Sequence, residues 1–168
     1  DLICEILENL LLNGLDVYFN ISTFDNHKNI TKILKKYSNL YKKFSIKTVR
    51  HKNIHDFISD LDFLIFYLNK NYSVQASFPT KLAEILLSGK PVICNSFNED
   101  IKNIISNNEF IFEINNQLNI NIIKNFIFDV VNNKEKYAEM CRSYAKENLE
   151  LNLSNKRYLN IYNKIFNE

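Results

Sequence analysis

Apolar and polar residues follow two periodicities along this chain. The helical period predicts helices at residues 2–12, 25–41, 53–59, 81–88, 98–106, 119–132, 134–148 and 154–166. Short β-branched and aromatic runs predict strands at residues 16–22, 44–49, 61–68, 91–94 and 110–113. Because strands alternate with helices, the pattern favours an α/β fold with a doubly wound parallel sheet.

The predicted sheet suggests where a ligand would bind. Residues 61–68 form a nearly continuous apolar run, which is typical of a strand buried in the middle of a parallel sheet. Such sheets bind ligands outside the carboxyl ends of their strands, in the loops that lead into helices. The candidate loops are therefore residues 50–53, after the second predicted strand, and residues 69–80, after the third.

Length and composition narrow the class of protein. The chain has 168 residues, of which 46% are apolar, so we expect one packed domain over residues 1–168. The net charge is +2 and the basic residues are scattered, which argues against a nucleic-acid partner. The chain opens directly in helical periodicity without Met, so we expect it to be a piece of a longer protein.

The cysteines and the lack of long apolar runs indicate a compartment. Cys4, Cys94 and Cys141 are widely spaced and odd in number, which suits small buried residues in a reducing compartment better than a disulfide framework or a metal site. No apolar run approaches the roughly 18 to 20 residues that span a bilayer, and residues at the start of the given sequence lack the charged-then-apolar pattern of a signal segment. We therefore expect a cytoplasmic protein.

The start of the helix at residues 81–88 carries candidate binding chemistry. Pro79 suits a helix start, and the N–H groups of Thr80, Lys81 and Leu82 would then point out of the helix end, where partial positive charge favours a phosphate. Lys81 adds a full charge. Glu84 lies one turn further on, where its carboxylate is suited to accept hydrogen bonds from the two hydroxyls of a ribose. The same residues also fit a well-capped structural helix with a solvated surface, and the residues alone leave both interpretations open.

A resemblance favours the binding interpretation. Residues 77–93, Ser-Phe-Pro-Thr-Lys-Leu-Ala-Glu-Ile-Leu-Leu-Ser-Gly-Lys-Pro-Val-Ile, resemble the Ser-x-Pro-Thr-Lys-Leu-x-Glu-Tyr-Leu-Ala-x-Gly-Lys-Pro-Val-Ile segment of GT-B glycosyltransferases. More narrowly, they are similar to glycosyl transferases group 1, many of which build surface glycans. Residues 57–65 and the closing helices resemble the same family. The resemblance implies the C-terminal, Rossmann-like half of a two-domain enzyme, with its first strand missing.

The resemblance also implies roles for individual residues. Glu84 matches the family's ribose-binding glutamate. The loop and helix start that match the family's segment beside the diphosphate and sugar are Ser77, Phe78, Pro79, Thr80 and Lys81. The residues that fall where the base lies against the backbone are Val49, Arg50 and His51. No cofactor or metal is implied, and the donor substrate is a nucleotide diphosphate sugar.

The whole enzyme implied by the resemblance would pass the sugar to a glycan or lipid-linked acceptor in surface polysaccharide synthesis. The acceptor and its base would belong to an absent N-terminal domain, so the isolated chain should be inactive. The full-length enzyme could associate peripherally with the inner face of the membrane. Many retaining members carry a second glutamate eight residues before the ribose-binding one. Ala76 stands there, which leaves retaining versus inverting open, although the wider family favours retention.

Other functions remain as alternatives. A sugar-nucleotide epimerase can use the same fold. A non-catalytic, doubly wound interaction module, such as a receiver-like domain, would need an acidic pocket after the first strand, and residues 22–25 do not supply a convincing one. His51 and His55 are four apart, but the sequence offers no third metal ligand beside them, so a loop or surface role is the better hypothesis.

Overall fold

Short parallel strands joined by helices make up the fold. The computed structural model describes residues 2–69, 71–115 and 119–166. Its helices are α1 (Leu2–Leu12), α2 (His27–Leu34), α3 (Ile54–Ser59), α4 (Tyr72–Gln75), α5 (Thr80–Leu87), α6 (Glu99–Asn107), α7 (Ile120–Asn132), α8 (Lys134–Asn148) and α9 (Leu151–Phe166). Its strands are β1 (Phe19–Ser22), β2 (Phe44–Lys47), β3 (Leu64–Ile65), β4 (Val92–Cys94) and β5 (Ile111–Glu113). Two 3₁₀ turns lie at Leu40–Lys42 and His51–Asn53.

The strands form two small parallel sheets. β1 pairs with β2, and β4 pairs with β3 on one side and β5 on the other. The predicted α/β class with parallel strands is thus confirmed. No pairing joins β1 to β3 in the described residues. The strand predicted at residues 61–68 is shorter in the structure, Leu64–Ile65, and the prediction that it lies in the middle of a sheet is wrong for the described residues, because β3 is an edge of the three-stranded sheet.

Helices cover both faces of the three-stranded sheet. Val92 and Cys94 face a core cluster that also contains buried residues of α5, α6 and α8. Ile93 points to the opposite face, into a cluster with buried residues of α1 and α7. This alternation is the period of two that a strand imposes, and it makes β4 the most deeply buried strand among those described.

The two-stranded sheet is apolar on one face only. Phe19 and Ile21 pack into the same cluster as α1. On the other face, the side-chain oxygen of Asn20 accepts a hydrogen bond from Ser45 Oγ. Among the described helices, none combines the length and the apolar composition that a membrane span requires.

Glu8 joins α1 to the turn that precedes β2. Its carboxylate accepts hydrogen bonds from the backbone N–H of Leu40 at 2.7 Å and from the backbone and side chain of Asn39 at 3.1 and 2.8 Å. Burial acts to raise the pKa of Glu8, but these hydrogen bonds outweigh it and the pKa is lowered. Glu8 therefore stabilises the fold in its ionised form.

Replacing Glu8 with Ala should reduce the free energy of unfolding by about 1 to 2 kcal/mol at neutral pH, because two backbone N–H groups lose a charged acceptor. A carboxyl whose pKa is lowered on folding stabilises above its unfolded pKa, so the loss should shrink as the pH falls below about 4. Urea unfolding of the variant and the unchanged chain at several pH values measures this loss in the free energy of unfolding. Glu5→Ala, at an exposed position of the same helix, should change stability by less than about 0.5 kcal/mol. A pH-independent loss for Glu8→Ala would contradict the ionic role.

Candidate functional site

The start of α5 presents free backbone donors and a lysine. Pro79 precedes the helix in an extended conformation, and no side chain caps the helix end. In the described part of the chain, the N–H groups of Thr80 and Lys81 have no acceptor. The Leu82 N–H donates to the Pro79 carbonyl oxygen at 2.8 Å. The prediction that the N–H of Leu82 is free, like those of Thr80 and Lys81, is therefore wrong. Two aligned donors and one ammonium group remain for an anion.

Burial along α5 decides which side chains face outward. Leu82, Ile85 and Leu86 are buried in the core cluster of α6 and α8. The spacing of three and four residues then leaves Lys81 and Glu84 on the solvent side. Their exposure follows from the anchoring of the opposite face.

The structure brings Glu84 together with a residue from the other candidate loop. His51 Nε2 lies 3.8 Å from Glu84 Oε1, and the Glu84 side chain is about half exposed, at 48%. Because both groups are solvent-accessible, the contact contributes little stability and leaves the carboxylate able to accept other hydrogen bonds. The sequence places these residues 33 positions apart, and the chain returns to the same edge of the fold.

The rest of the first candidate loop is held by backbone rather than side-chain bonds. Val49 is half-buried and Arg50 is exposed and extended. The carbonyl of Arg50 accepts from the Asn53 N–H at 2.9 Å, which starts the turn that carries His51. The Arg50 side chain has no partner in the described residues and adds positive charge to this edge.

The loop between β3 and α5 is fixed by two asparagines. Buried Asn95 donates to the Leu68 carbonyl at 2.8 Å and accepts from the Leu68 N–H at 2.9 Å, which continues the β3–β4 pairing through a side chain. Asn98 caps α6 by accepting from the Ile101 N–H and also donates to the Ser77 carbonyl at 2.7 Å. The position of Asn98 after a predicted strand indicates a cap for the next helix, and the structure confirms it. The contacts of Asn95 with Leu68 and of Asn98 with Ser77 are not predictable from the sequence, since asparagine is too frequent in this chain for a single one to stand out.

Ser77 supports the site without lining the cavity, whereas Phe78 lines it from the side of the core. Ser77 Oγ donates to the Val74 carbonyl at 3.2 Å, within the end of α4, a helix that was not predicted. Phe78 is half-buried and packs against the core cluster of α5. Of the predicted loop residues, Phe78, Pro79, Thr80 and Lys81 line the cavity at this edge.

A cavity of about 990 Å³ begins at this edge and continues inward. Phe78, Pro79, Thr80, Lys81 and Glu84 line its outer end. Its other walls include residues of β1 and β3. Val49, Arg50 and His51 do not line it, so the base-reading segment lies beside the mouth and touches the cavity only through the His51–Glu84 contact.

Other candidate chemistry lies away from the mouth. Burial raises the pKa of Cys94 and of Cys141 to about 12, so both are inert core thiols, whereas Cys4 is half-exposed. Ser96 Oγ donates to the Glu113 carboxylate and does not cap α6, which is capped by Asn98. Among the described residues, no three or more His, Cys, Asp or Glu side chains group closely enough to hold a metal.

No protein-family model, curated protein or solved structure matches the chain.

Proposed function

We propose that the chain is the donor-binding domain of a glycosyltransferase and that its two small parallel sheets belong to a doubly wound, Rossmann-like fold. The enzyme would take a sugar from a nucleotide diphosphate sugar and transfer it to a glycan or lipid-linked acceptor. The observation that carries the proposal is the meeting of His51 and Glu84 at the mouth of a cavity whose rim also holds Lys81.

Each group at the mouth suits one part of such a donor. The diphosphate would lie at the start of α5, where the N–H groups of Thr80 and Lys81 and the Lys81 ammonium offer positive charge. Glu84 would accept hydrogen bonds from the ribose hydroxyls. The backbone at Val49 and Arg50 would contact the base, next to the His51 that already touches Glu84.

The same groups would promote transfer. Negative charge builds on the departing diphosphate as the bond to the sugar breaks. Fixed N–H dipoles and Lys81 would stabilise that charge more strongly in the transition state than in the bound donor, which is the condition for catalysis. Their orientation is set in advance by the buried face of α5, so little reorganisation is needed.

Glu84→Ala should weaken nucleotide binding at least tenfold, because hydrogen bonds to a charged group contribute about 1.5 to 3 kcal/mol. Ligand-observed NMR of the 168-residue chain with UDP, GDP, ADP and CMP measures the affinity and identifies the base. Lys81→Ala should also weaken binding and should reduce its dependence on salt.

Glu99→Ala is the matched control, since Glu99 is an exposed carboxylate whose only ion pair in the described residues is with Lys102 on the same helix. The Glu99→Ala variant should bind the nucleotide with the same affinity as the unchanged chain. Binding that survives Glu84→Ala undiminished would refute the ribose assignment. Failure of the folded chain to bind any of the four nucleotides would refute the proposed donor site.

A further inference from the structure

Glu84 has two cationic partners within reach, one on its own helix and one from the loop after β2. Lys81 lies three residues before it on α5, a spacing at which side chains on a helix surface are neighbours. His51 belongs to the 3₁₀ turn after β2, and its Nε2 lies 3.8 Å from Glu84 Oε1. A single carboxylate can therefore pair either with the lysine of the candidate anion site or with an imidazole.

The structure shows Glu84 beside the imidazole and Lys81 without a carboxylate. Among the described residues, His51 is the group in ion-pair contact with Glu84, and no carboxylate lies within 4 Å of Lys81 Nζ. A pair with the lysine ahead of the glutamate is also the less favourable order on a helix, so a second cation can displace it. The observed arrangement therefore keeps the Lys81 ammonium unpaired at the start of α5.

The partner of Glu84 determines how much charge Lys81 offers to an anion. An ion pair between Glu84 and Lys81 would offset the positive charge at the helix start, next to the free N–H groups of Thr80 and Lys81. An ion pair between Glu84 and His51 leaves that charge available. A carboxylate has about four acceptor positions on its two oxygens, so Glu84 can contact His51 and still accept from ribose hydroxyls.

The imidazole is the group in this trio whose charge depends on pH near neutrality. A histidine side chain ordinarily gains and loses its proton between pH 5 and 8, whereas carboxylates and lysine ammonium groups ordinarily keep their charges over that range. As the pH rises, His51 loses its charge and with it the attraction for Glu84. The neighbouring lysine on α5 then becomes the stronger partner of the carboxylate.

Other charged groups near the imidazole are exposed to solvent. Besides Glu84, the charged or titratable side chains in the same turn and loop, on α3 and at the start of α5 are Arg50, Lys52, His55, Asp56 and Lys81. Solvent and salt screen their effects on His51. Glu84 is the one carboxylate of the described residues within 4 Å of this imidazole, so it is the main electrostatic partner of His51.

We propose that protonated His51 is a positioning residue of the donor site, which holds the Glu84 carboxylate away from Lys81 and so leaves the lysine free for the diphosphate. The affinity for a nucleotide diphosphate sugar is then higher at pH 6 than at pH 8. The inference rests on the proposed donor site and adds its regulation by pH.

Ligand-observed NMR on the 168-residue chain, with affinities measured between pH 6 and 8, tests the proposal. The probes are UDP-glucose, GDP-mannose and ADP-glucose, whose phosphates are esterified and keep a constant charge over this range. The dissociation constant should be about two- to fivefold larger at pH 8 than at pH 6, the range that an exposed ion pair supplies. His51→Gln should bind with the weaker affinity at every pH, because its side chain carries no charge.

Two variants separate release of Lys81 from other effects of the imidazole. His51→Arg should bind with the stronger affinity at both pH values, since a guanidinium keeps its charge throughout. Lys81→Met should bind weakly and without the pH dependence, because there is no lysine to release. The matched control is His55→Gln, since His55 is an exposed imidazole on α3 that contacts no carboxylate in the described residues. It should keep the pH dependence of the unchanged chain.

The possible outcomes distinguish this inference from the proposed function. Nucleotide-sugar binding with the same pH dependence in His51→Gln as in the unchanged chain would overturn the role of His51 and leave the donor site intact. A pH dependence that persists in Lys81→Met would also overturn it, because His51 would then act on the ligand directly. Failure of all three nucleotide sugars to bind at any pH would refute the proposed function, and this inference with it.

Discussion

Replacing Leu86 with Ala should lower the free energy of unfolding by about 2 to 5 kcal/mol, the range for deleting a fully buried leucine side chain. Leu86 has no exposed surface and lies in the core cluster that joins α5 to α6 and α8. Alanine would lose the burial of three carbons and leave a cavity that the close-packed neighbours fill only in part. Urea unfolding followed by circular dichroism measures the loss.

Leu87→Ala is the matched control on the same helix. Leu87 is 43% exposed, so its truncation should cost less than about 1 kcal/mol. The comparison also concerns the candidate site, because the buried face of α5 orients Lys81 and Glu84. If both variants lost the same stability, α5 would not be anchored through Leu86, and the geometry at the mouth of the cavity would lack its support.

The sequence predicts α5 well because several local signals agree there. Pro79 suits the helix start, the apolar period anchors one face, and Gly89 ends the helix. The predicted start is off by one residue, since the helix begins at Thr80. Helices α1 and α8 also have the predicted bounds, and α1 is followed by the turn residues Asn13 and Gly14.

Strand lengths and short helices are harder to predict because they depend on neighbours rather than on local pattern. Residues 16–18 have strand-like composition, but β1 begins at Phe19, where β2 first offers a partner. The predicted helix at residues 25–41 stops at Leu34 and gives way to a separate turn that the carboxylate of Glu8 stabilises. The four-residue α4 depends on the cap of Asn71, one asparagine among many.

The residues of the candidate site likewise fall into those that could be predicted from the sequence and those that could not. The resemblance gave the residues of the α5 start, and the helix geometry accounts for their exposure. It could not give the contact of His51 with Glu84, which depends on the return of the chain through α3, β3 and α4. Nor could it give Asn95, whose side chain acts as a backbone substitute only once β3 and β4 are side by side.

Gly89→Ala should lower the free energy of unfolding by about 2 to 3 kcal/mol, for two separate reasons. Gly89 has φ +73°, and the left-handed region costs a residue with a Cβ about 1 to 2 kcal/mol. The added Cβ would also lie 2.8 Å from the guanidinium carbon of Arg142 and 3.0 Å from the Cβ of Ala138. The exposed arginine can swing aside, but Ala138 is fixed on α8, so the α5–α8 packing must open slightly.

Gly14→Ala separates the two causes, because Gly14 has φ +80° and no atom within 4 Å of an added Cβ. It should cost only the backbone contribution of about 1 to 2 kcal/mol. Urea unfolding of both variants gives the difference, which measures how tightly α5 is pressed against α8. Equal losses of stability in the two variants would mean that the carboxyl end of α5 moves away from α8 without a loss of free energy. A larger loss at Gly89 would show that the helix carrying Lys81 and Glu84 is held firmly at its carboxyl end, as a preorganised anion site requires.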